Sequence, residues 1–365
     1  MTSAIARLLE LGQSPWYDNL SRPLLSGGGL AALVRDDGIR GVTSNPTILE
    51  KAIAAGDGYD DQLAACAADG RSVEATYWAV VLDDIRAAAA LLRPVHEVTA
   101  GADGFVSVEV SPALAHDTAG TIAAAAQLWS ALGVPNVMIK IPATIAGLPA
   151  IEESIAAGIN VNVTLIFSIE RHARVIDAYL NGLRRRLAAG GAIGSIASVA
   201  SFFVSRVDTE TDRRLPDGHP LRGKAAVANA KLAYASFRER FSGPAWQELA
   251  AAGARLQRPL WASTSTKNPD YSPTLYVDEL IGTDTVNTLA PASIEALHTG
   301  HAHLRAGAVA EDVAGAERVM AGLADAGVDI DDVTATLERE GVAAFATSFD
   351  DALASIDARR TVVSR

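Results

Sequence analysis

The run Asn136-Val137-Met138-Ile139-Lys140-Ile141-Pro142-Ala143-Thr144 is short and almost wholly apolar, with one lysine at its centre. Turn residues bound it, Gly133 and Pro135 before, Asn136 at its start and Pro142 within, so it reads as a buried strand of a parallel sheet. Burying an ammonium disfavours its charged form. A lysine amine freed of its proton near neutral pH attacks carbonyl carbon, the route to a Schiff base. The same lysine could instead reach past the strand end to solvent, or pair with an acid as a structural ion pair. The run by itself leaves both open.

The neighbouring segments hold the groups such chemistry needs. Ser107 and Glu109 share one face of the strand pattern Phe105–Val110, and Met138, Lys140 and Pro142 share a face of the lysine strand. In Asn160–Phe167, Asn160, Asn162 and Thr164 alternate with Val161, Val163 and Leu165, which are expected to pack on helices. Glu109 suits a general acid/base, acting directly or through a water held by Thr164, or a buried counter-ion to Lys140. Asp18 and Asn45 end two further strand patterns, where they can bind substrate hydroxyls, form turns or cap helices. Ser201, Arg206, Ser263 and Lys267 place hydroxyls and two cations where barrels often hold phosphate, although loop charges of this kind are also commonly just solvated.

These residues need a scaffold that turns several strand ends toward one point. Eight short strand patterns alternate with helical ones: 14–20, 41–46, 105–110, 136–144, 160–167, 198–204, 259–263 and 286–289. That alternation predicts an α/β fold, a single (β/α)8 barrel over 1–365. Additional helices are expected at the N-terminus, in an insertion over 207–257 between strands six and seven, and in a C-terminal extension over 305–365. Helical patterns also run over 57–93, over 117–132, near 145–157 and after Ser168, which is placed to cap a helix carrying Ile169, Ala173, Ile176, Leu180, Leu183 and Leu187 as one stripe. Two helices are expected beyond Glu311, one packing Val313, Val319 and Leu323 and the other Leu337, Phe345 and Leu353. No G-x-G-x-x-G follows the first strand, which disfavours an open dinucleotide-binding sheet, and Gly27-Gly28-Gly29 reads as a flexible turn. In a barrel, the polar faces of strands three, four and five point inward. A purely structural interior would be layered with Val, Ile and Leu, so the pattern favours a catalytic Lys140.

Composition bounds the partners. A formal net charge of -12 argues against nucleic acid and membrane surfaces, which select basic faces. No apolar stretch reaches membrane-span length, and the segment Met1–Gln13 is amphipathic and lacks a signal-peptide profile. Cys66 is the single cysteine, so no intrachain disulfide can form, and a reducing, cytoplasmic setting is expected. His298, His301 and His303 lack regular spacing and read as a loop after strand eight rather than a metal site. The charged run Asp208–Arg214 reads as a solvated helix entry or loop. Oligomeric state is not legible.

Taken together, the segments WYDNLSR (16–22), GVTSNPTI (41–48), IKIPAT (139–144), GINVNVTLIFS (158–168), SFFVSR (201–206) and TVNTLAP (285–291) resemble the transaldolase family. FFVSRVDTETD and YVDELIGTDTVNTLAP are similar to its longer bacterial branch. The resemblance implies a cofactor-free class I TIM-barrel enzyme of the pentose phosphate pathway. Such an enzyme moves a dihydroxyacetone unit from sedoheptulose 7-phosphate to glyceraldehyde 3-phosphate, giving erythrose 4-phosphate and fructose 6-phosphate. It further implies Lys140 as the Schiff-base lysine, Asp18 as the base at the C4 hydroxyl, and Glu109 with Thr164 handling water and protons. Asn45 and Asn162 would hold the dihydroxyacetone hydroxyls, and Ser201, Arg206 and Ser263 the phosphate. The shorter enzymes of the family carry a second phosphate-binding arginine where this chain has Ser265, and Lys267 is the nearby cation. Three other readings compete: an aldolase releasing free dihydroxyacetone, a non-catalytic barrel binding sugar phosphate or a protein partner, and a metal-dependent class II aldolase. The last would need a histidine-rich site.

Overall fold

The computed structural model describes residues 3–55 and 58–363. The first two residues of the expected N-terminal helix, and Asp57 at the start of the helical pattern over 57–93, lie outside that range. Eight parallel strands close into a barrel in sequence order: β1 (Gln13–Asp18), β2 (Gly41–Thr43), β3 (Phe105–Glu109), β4 (Val137–Pro142), β5 (Val161–Ile166), β6 (Ser198–Phe203), β7 (Gln257–Ala262) and β8 (Thr285–Leu289), with β8 pairing back on β1. The fold is therefore a (β/α)8 barrel. β1 stops at Asp18 rather than continuing to Leu20, and β7 starts at Gln257, two residues before Pro259. The inward alternation is borne out by register: Glu109 sits opposite Lys140, Lys140 opposite Asn162 and Pro142 opposite Thr164.

The helices start where short polar side chains can accept their free N–H groups. Ser168 Oγ accepts from Arg171 N at 3.0 Å, as the sequence suggests, and Asp117 Oδ1 accepts from Gly120 N at 3.0 Å. The long helix Val73–Val98 does not stop at Arg93 but runs through Pro94. Its last turn is held from outside: Val95 is buried, the His96 ring stands edge-on to Phe105 at 5.0 Å, and His96 Nδ1 lies 2.9 Å from the Asp103 carbonyl. These contacts offset the backbone bond that proline forgoes. At the lower end of the barrel, Asp103 Oδ1 accepts from Ser14 Oγ, Trp16 Nε1 and Arg258. Gly41 faces the Trp16 indole so closely that a Cβ there would lie 2.5 Å from ring atoms.

Between β6 and β7 the chain forms the helices Ser205–Arg214, Ala225–Arg240 and Pro244–Ala251. The run Asp208–Arg214 is not a solvated entry. Val207, Asp208, Thr211 and Asp212 are buried in the first of these helices. Asp208 accepts from Ala226 N at 2.7 Å and from the Tyr276 hydroxyl at 2.8 Å, and Asp212 accepts from Gly223 N and the Tyr271 hydroxyl. The acids are buried because they tie this helix to the next one and to the chain after β7, giving each carboxylate the partners that burial demands. After β8 come Pro291–His298, Val313–Asp325 and Ile330–Val363, the last packing against Pro46–Ala55 and over the barrel end. His298 ends its helix with Nε2 2.8 Å from Asp37 Oδ1, and the other two histidines follow in the loop. Among the described residues no helix is long and apolar enough to cross a membrane.

Candidate active site

A cavity of about 340 Å³ opens at the C-terminal ends of the strands. Of the ten residues singled out from sequence, Asp18, Asn45, Lys140, Thr164, Ser201, Arg206, Ser263 and Lys267 line it. Glu109 and Asn162 stand just behind the lining, one on each side of Lys140 in the sheet. Lys140 Nζ lies 3.3 Å from Glu109 Oε2 and donates to the Ser44 carbonyl at 3.3 Å, with both charged side chains about 6% exposed. Burial raises the Glu109 carboxyl above its ordinary range, the Lys140 charge pulling the other way. Burial also raises the nearby Tyr77 hydroxyl, and the Glu109 charge adds to that rise.

Asp18 opens partly onto the cavity but sits deep enough that desolvation is the largest influence on it, raising its pKa against the pull of Lys140, Thr43 and Lys267. Thr43 Oγ1 donates to Asp18 Oδ1 at 2.6 Å. Asn45 caps a helix, its Oδ1 accepting from Ile48 N at the start of Pro46–Ala55, and the residue also borders the cavity. Asn162 is fully buried, donating to Ser107 Oγ at 2.9 Å and accepting from Ser201 Oγ at 2.6 Å. Ser201 is thus occupied in fixing Asn162 as well as facing the cavity. Among the described residues, one amide hydrogen and one lone pair of Asn162 stay uncommitted.

Two backbone features shape the site. Between β5 and β6 the register slips from Val163–Ala200 to Ile166–Phe202, a bulge in which Leu165 takes φ 59°. The bulge re-aims the strand end. Thr164 Oγ1 is left facing the cavity, buried and without a hydrogen-bond partner among the described residues. Leu165 meets the C-terminal helix at Gly341. Ser263, just past β7, also takes the left-handed region at φ 57°, with its Oγ 2.9 Å from Ser205 Oγ. Non-glycine residues held there cost free energy and concentrate at functional sites.

Also lining the cavity, the Arg206 guanidinium lies 5.6 Å over the Phe203 ring. It is half-buried and makes no hydrogen bond among the described residues. Burial lowers its pKa, and Glu340 of the C-terminal helix opposes that. Lys267 Nζ donates to Ser265 Oγ at 2.9 Å, so the serine at the position of the second arginine orients the lysine. Half-buried guanidinium donors without partners, beside two serines and a lysine, suit a phosphate. Sequence reasoning missed Thr43, Lys51, Thr288 and Phe345 as lining residues. Lys51 was findable: it lies four residues after Thr47, on the same face of the helix that Asn45 caps. Phe345 was not, because its place depends on how a distant helix docks.

The (β/α)8 barrel gathers a buried lysine, its paired carboxylate and a half-buried guanidinium around one cavity at its upper end. Comparison with known proteins narrows this. The model of the transaldolase/fructose-6-phosphate aldolase family matches residues 15–356, and the chain belongs to that family. A transaldolase of Acidothermus cellulolyticus is 50% identical over 98% of this chain and 96% of its own length. Transaldolases of Saccharopolyspora erythraea (50% identical; 97% of each chain) and Mycolicibacterium smegmatis (49%; 96% of this chain, 95% of its own) are similar over the same extent.

Proposed function

We propose that this chain is a transaldolase, moving a dihydroxyacetone unit from sedoheptulose 7-phosphate to glyceraldehyde 3-phosphate through a Schiff base on Lys140. The observation that carries this reading is the juxtaposition of Lys140 with Glu109 at 3.3 Å, buried beneath a cavity whose rim holds Arg206 with its donors free.

In this mechanism the Lys140 amine adds to the C2 carbonyl of the ketose. Glu109, whose raised pKa retains a proton closer to neutral pH, protonates the departing hydroxyl as the carbinolamine becomes an iminium, directly or through a water on the free Thr164 Oγ1. Asp18 takes the C4 hydroxyl proton. The C3–C4 bond breaks, its electron pair flows into the iminium, and erythrose 4-phosphate leaves. The three-carbon carbanion, its hydroxyls held by Asn45 and the uncommitted groups of Asn162, then attacks glyceraldehyde 3-phosphate, and Asp18 returns the proton to the new alkoxide. Hydrolysis of the iminium frees fructose 6-phosphate and Lys140. Arg206, Ser263 and Lys267 hold the phosphate of donor and acceptor in turn, with the hydroxyl of Ser201 beside them. Small sugar phosphates are the partners this needs; the acidic chain offers its cations locally, at the rim.

The test is an assay of purified protein with sedoheptulose 7-phosphate, with and without glyceraldehyde 3-phosphate. Erythrose 4-phosphate and fructose 6-phosphate formed only when both are present support transfer. Dihydroxyacetone released at an equal rate without acceptor would make the protein an aldolase instead.

A further inference from the structure

One wall of the cavity comes from neither a strand nor a strand-to-helix loop. Leu337, Gly341, Phe345 and Phe349 of the helix Ile330–Val363 fall four residues apart on one face, and all four are buried. Gly341 lets that face come down onto the bulge of β5, since a Cβ there would lie 2.9 Å from Leu165 Cδ2. Phe349 stands edge-on to Tyr77 at 4.9 Å. Polar ties hold the helix along its length: Arg214–Asp332 at 2.7 Å, Arg171–Glu338 at 2.9 Å and Thr47 Oγ1–Ser348 Oγ at 2.7 Å. Between these anchors the Phe345 ring centroid sits 5.5 Å from Lys140 Nζ, and the ring borders the cavity.

We propose that Phe345 is a specificity-determining residue: its ring roofs the Lys140 adduct and holds water away from the three-carbon carbanion until an aldehyde arrives. The inference rests on the Schiff-base transferase reading above and adds what decides between transfer and release. The carbanion has two fates. It can attack the aldehyde carbon, forming the C3–C4 bond while the aldehyde oxygen takes a proton from Asp18. Alternatively, its C3 takes a proton delivered from solvent, water adds to the iminium carbon, and the C2–N bond breaks to give free dihydroxyacetone and the Lys140 amine. Both courses end with one water adding to an iminium; only the second needs solvent to reach C3 while the carbanion waits. An apolar ring, anchored by a helix tied at several points, excludes solvent from that space while the aldehyde enters from the phosphate side. The ring face also suits the cationic iminium.

The experiment compares wild type, F345A and F345L with fructose 6-phosphate, in deuterated water, with and without erythrose 4-phosphate. Lys140 adducts are trapped in parallel by borohydride and located by mass spectrometry. The expected result is the same Lys140 adduct in all three proteins, with the ratio of singly deuterated dihydroxyacetone released to sedoheptulose 7-phosphate formed rising about tenfold in F345A, a change of about 1.4 kcal/mol in relative barriers. F345L, which keeps an apolar roof with a gap, falls between and serves alone if F345A does not fold. An unchanged ratio in the folded variants, even with slower turnover in both directions, overturns the role of Phe345 and leaves the transferase reading standing. Absence of a Lys140 adduct in wild type overturns both.

Discussion

Replacing Glu109 by Gln keeps the shape of the side chain and removes its proton and charge. Glu109 stands opposite Lys140 in the β3–β4 register, with Oε2 3.3 Å from Nζ and both side chains about 6% exposed, so no solvent group can take over its position. Positioned general acids and bases contribute about 10²- to 10⁴-fold, about 3–5 kcal/mol of barrier, and dehydration of the carbinolamine is the step that loses this donor. The rate of borohydride-trappable adduct formation on Lys140 in Glu109→Gln should therefore fall by about 100-fold or more. Binding of the sugar phosphate, measured by equilibrium dialysis, should change far less, because Arg206, Ser263 and Lys267 are untouched. The variant also leaves the buried Lys140 without its counter-ion, which can cost about 3–5 kcal/mol of stability, so circular dichroism and denaturant midpoints accompany the kinetics. A folded Glu109→Gln protein that forms the adduct within about threefold of the wild-type rate would refute the proton-donor role, since that is under 1 kcal/mol of barrier.

Three further outcomes follow from the geometry. Thr43→Val removes the 2.6 Å hydrogen bond that lowers the pKa of Asp18, and Asp18 must be ionised to accept a proton. The acid limb of kcat should move to higher pH by about half to one unit, the worth of one hydrogen bond, and an unmoved limb would remove Asp18 from that role. Asp208 is pushed up from 3.8 to about 6 by burial, so the folded protein holds a proton there that the unfolded chain gives up between those values. Its carboxyl is best tolerated below pH 4, and that tolerance is lost as pH rises through about 6. Asp208→Asn should therefore gain up to about 3 kcal/mol relative to wild type between pH 4 and pH 8 in urea unfolding, and a pH-independent difference would contradict the burial argument. Gly41→Ala places a Cβ 2.5 Å from the buried Trp16 ring and should cost about 1–3 kcal/mol or more in unfolding free energy, whereas a neutral effect would show that the indole can shift.

Much of the scaffold was legible because the strands alternate so plainly. The polar residues Glu109, Lys140 and Asn162 had to share an interior once the chain closed, and register puts them side by side. The interior polarity that argued for chemistry is also why the barrel axis is filled here by hydrogen bonds such as Asn162 to Ser107 and Ser201 rather than by aliphatic layers. What the sequence hid depended on distant partners. The acids of Asp208–Arg214 resemble a solvated run until Tyr271 and Tyr276, from beyond β7, close over Asp208 and Asp212. The bulge at Leu165 breaks a simple two-residue period, and Leu165 there meets the C-terminal helix at Gly341. Phe345 was expected to face a helical core, which it does, but that core is also the roof of the cavity.

The central claim is that Lys140 carries the substrate. Wild-type protein and Lys140→Ala, each incubated with fructose 6-phosphate and reduced with borohydride, should be digested and mapped by mass spectrometry. A reduced three-carbon adduct is expected on the peptide holding Lys140 in wild type and none in the variant. A folded wild-type protein that binds the sugar yet carries no adduct at Lys140, or carries it on another lysine, would contradict it.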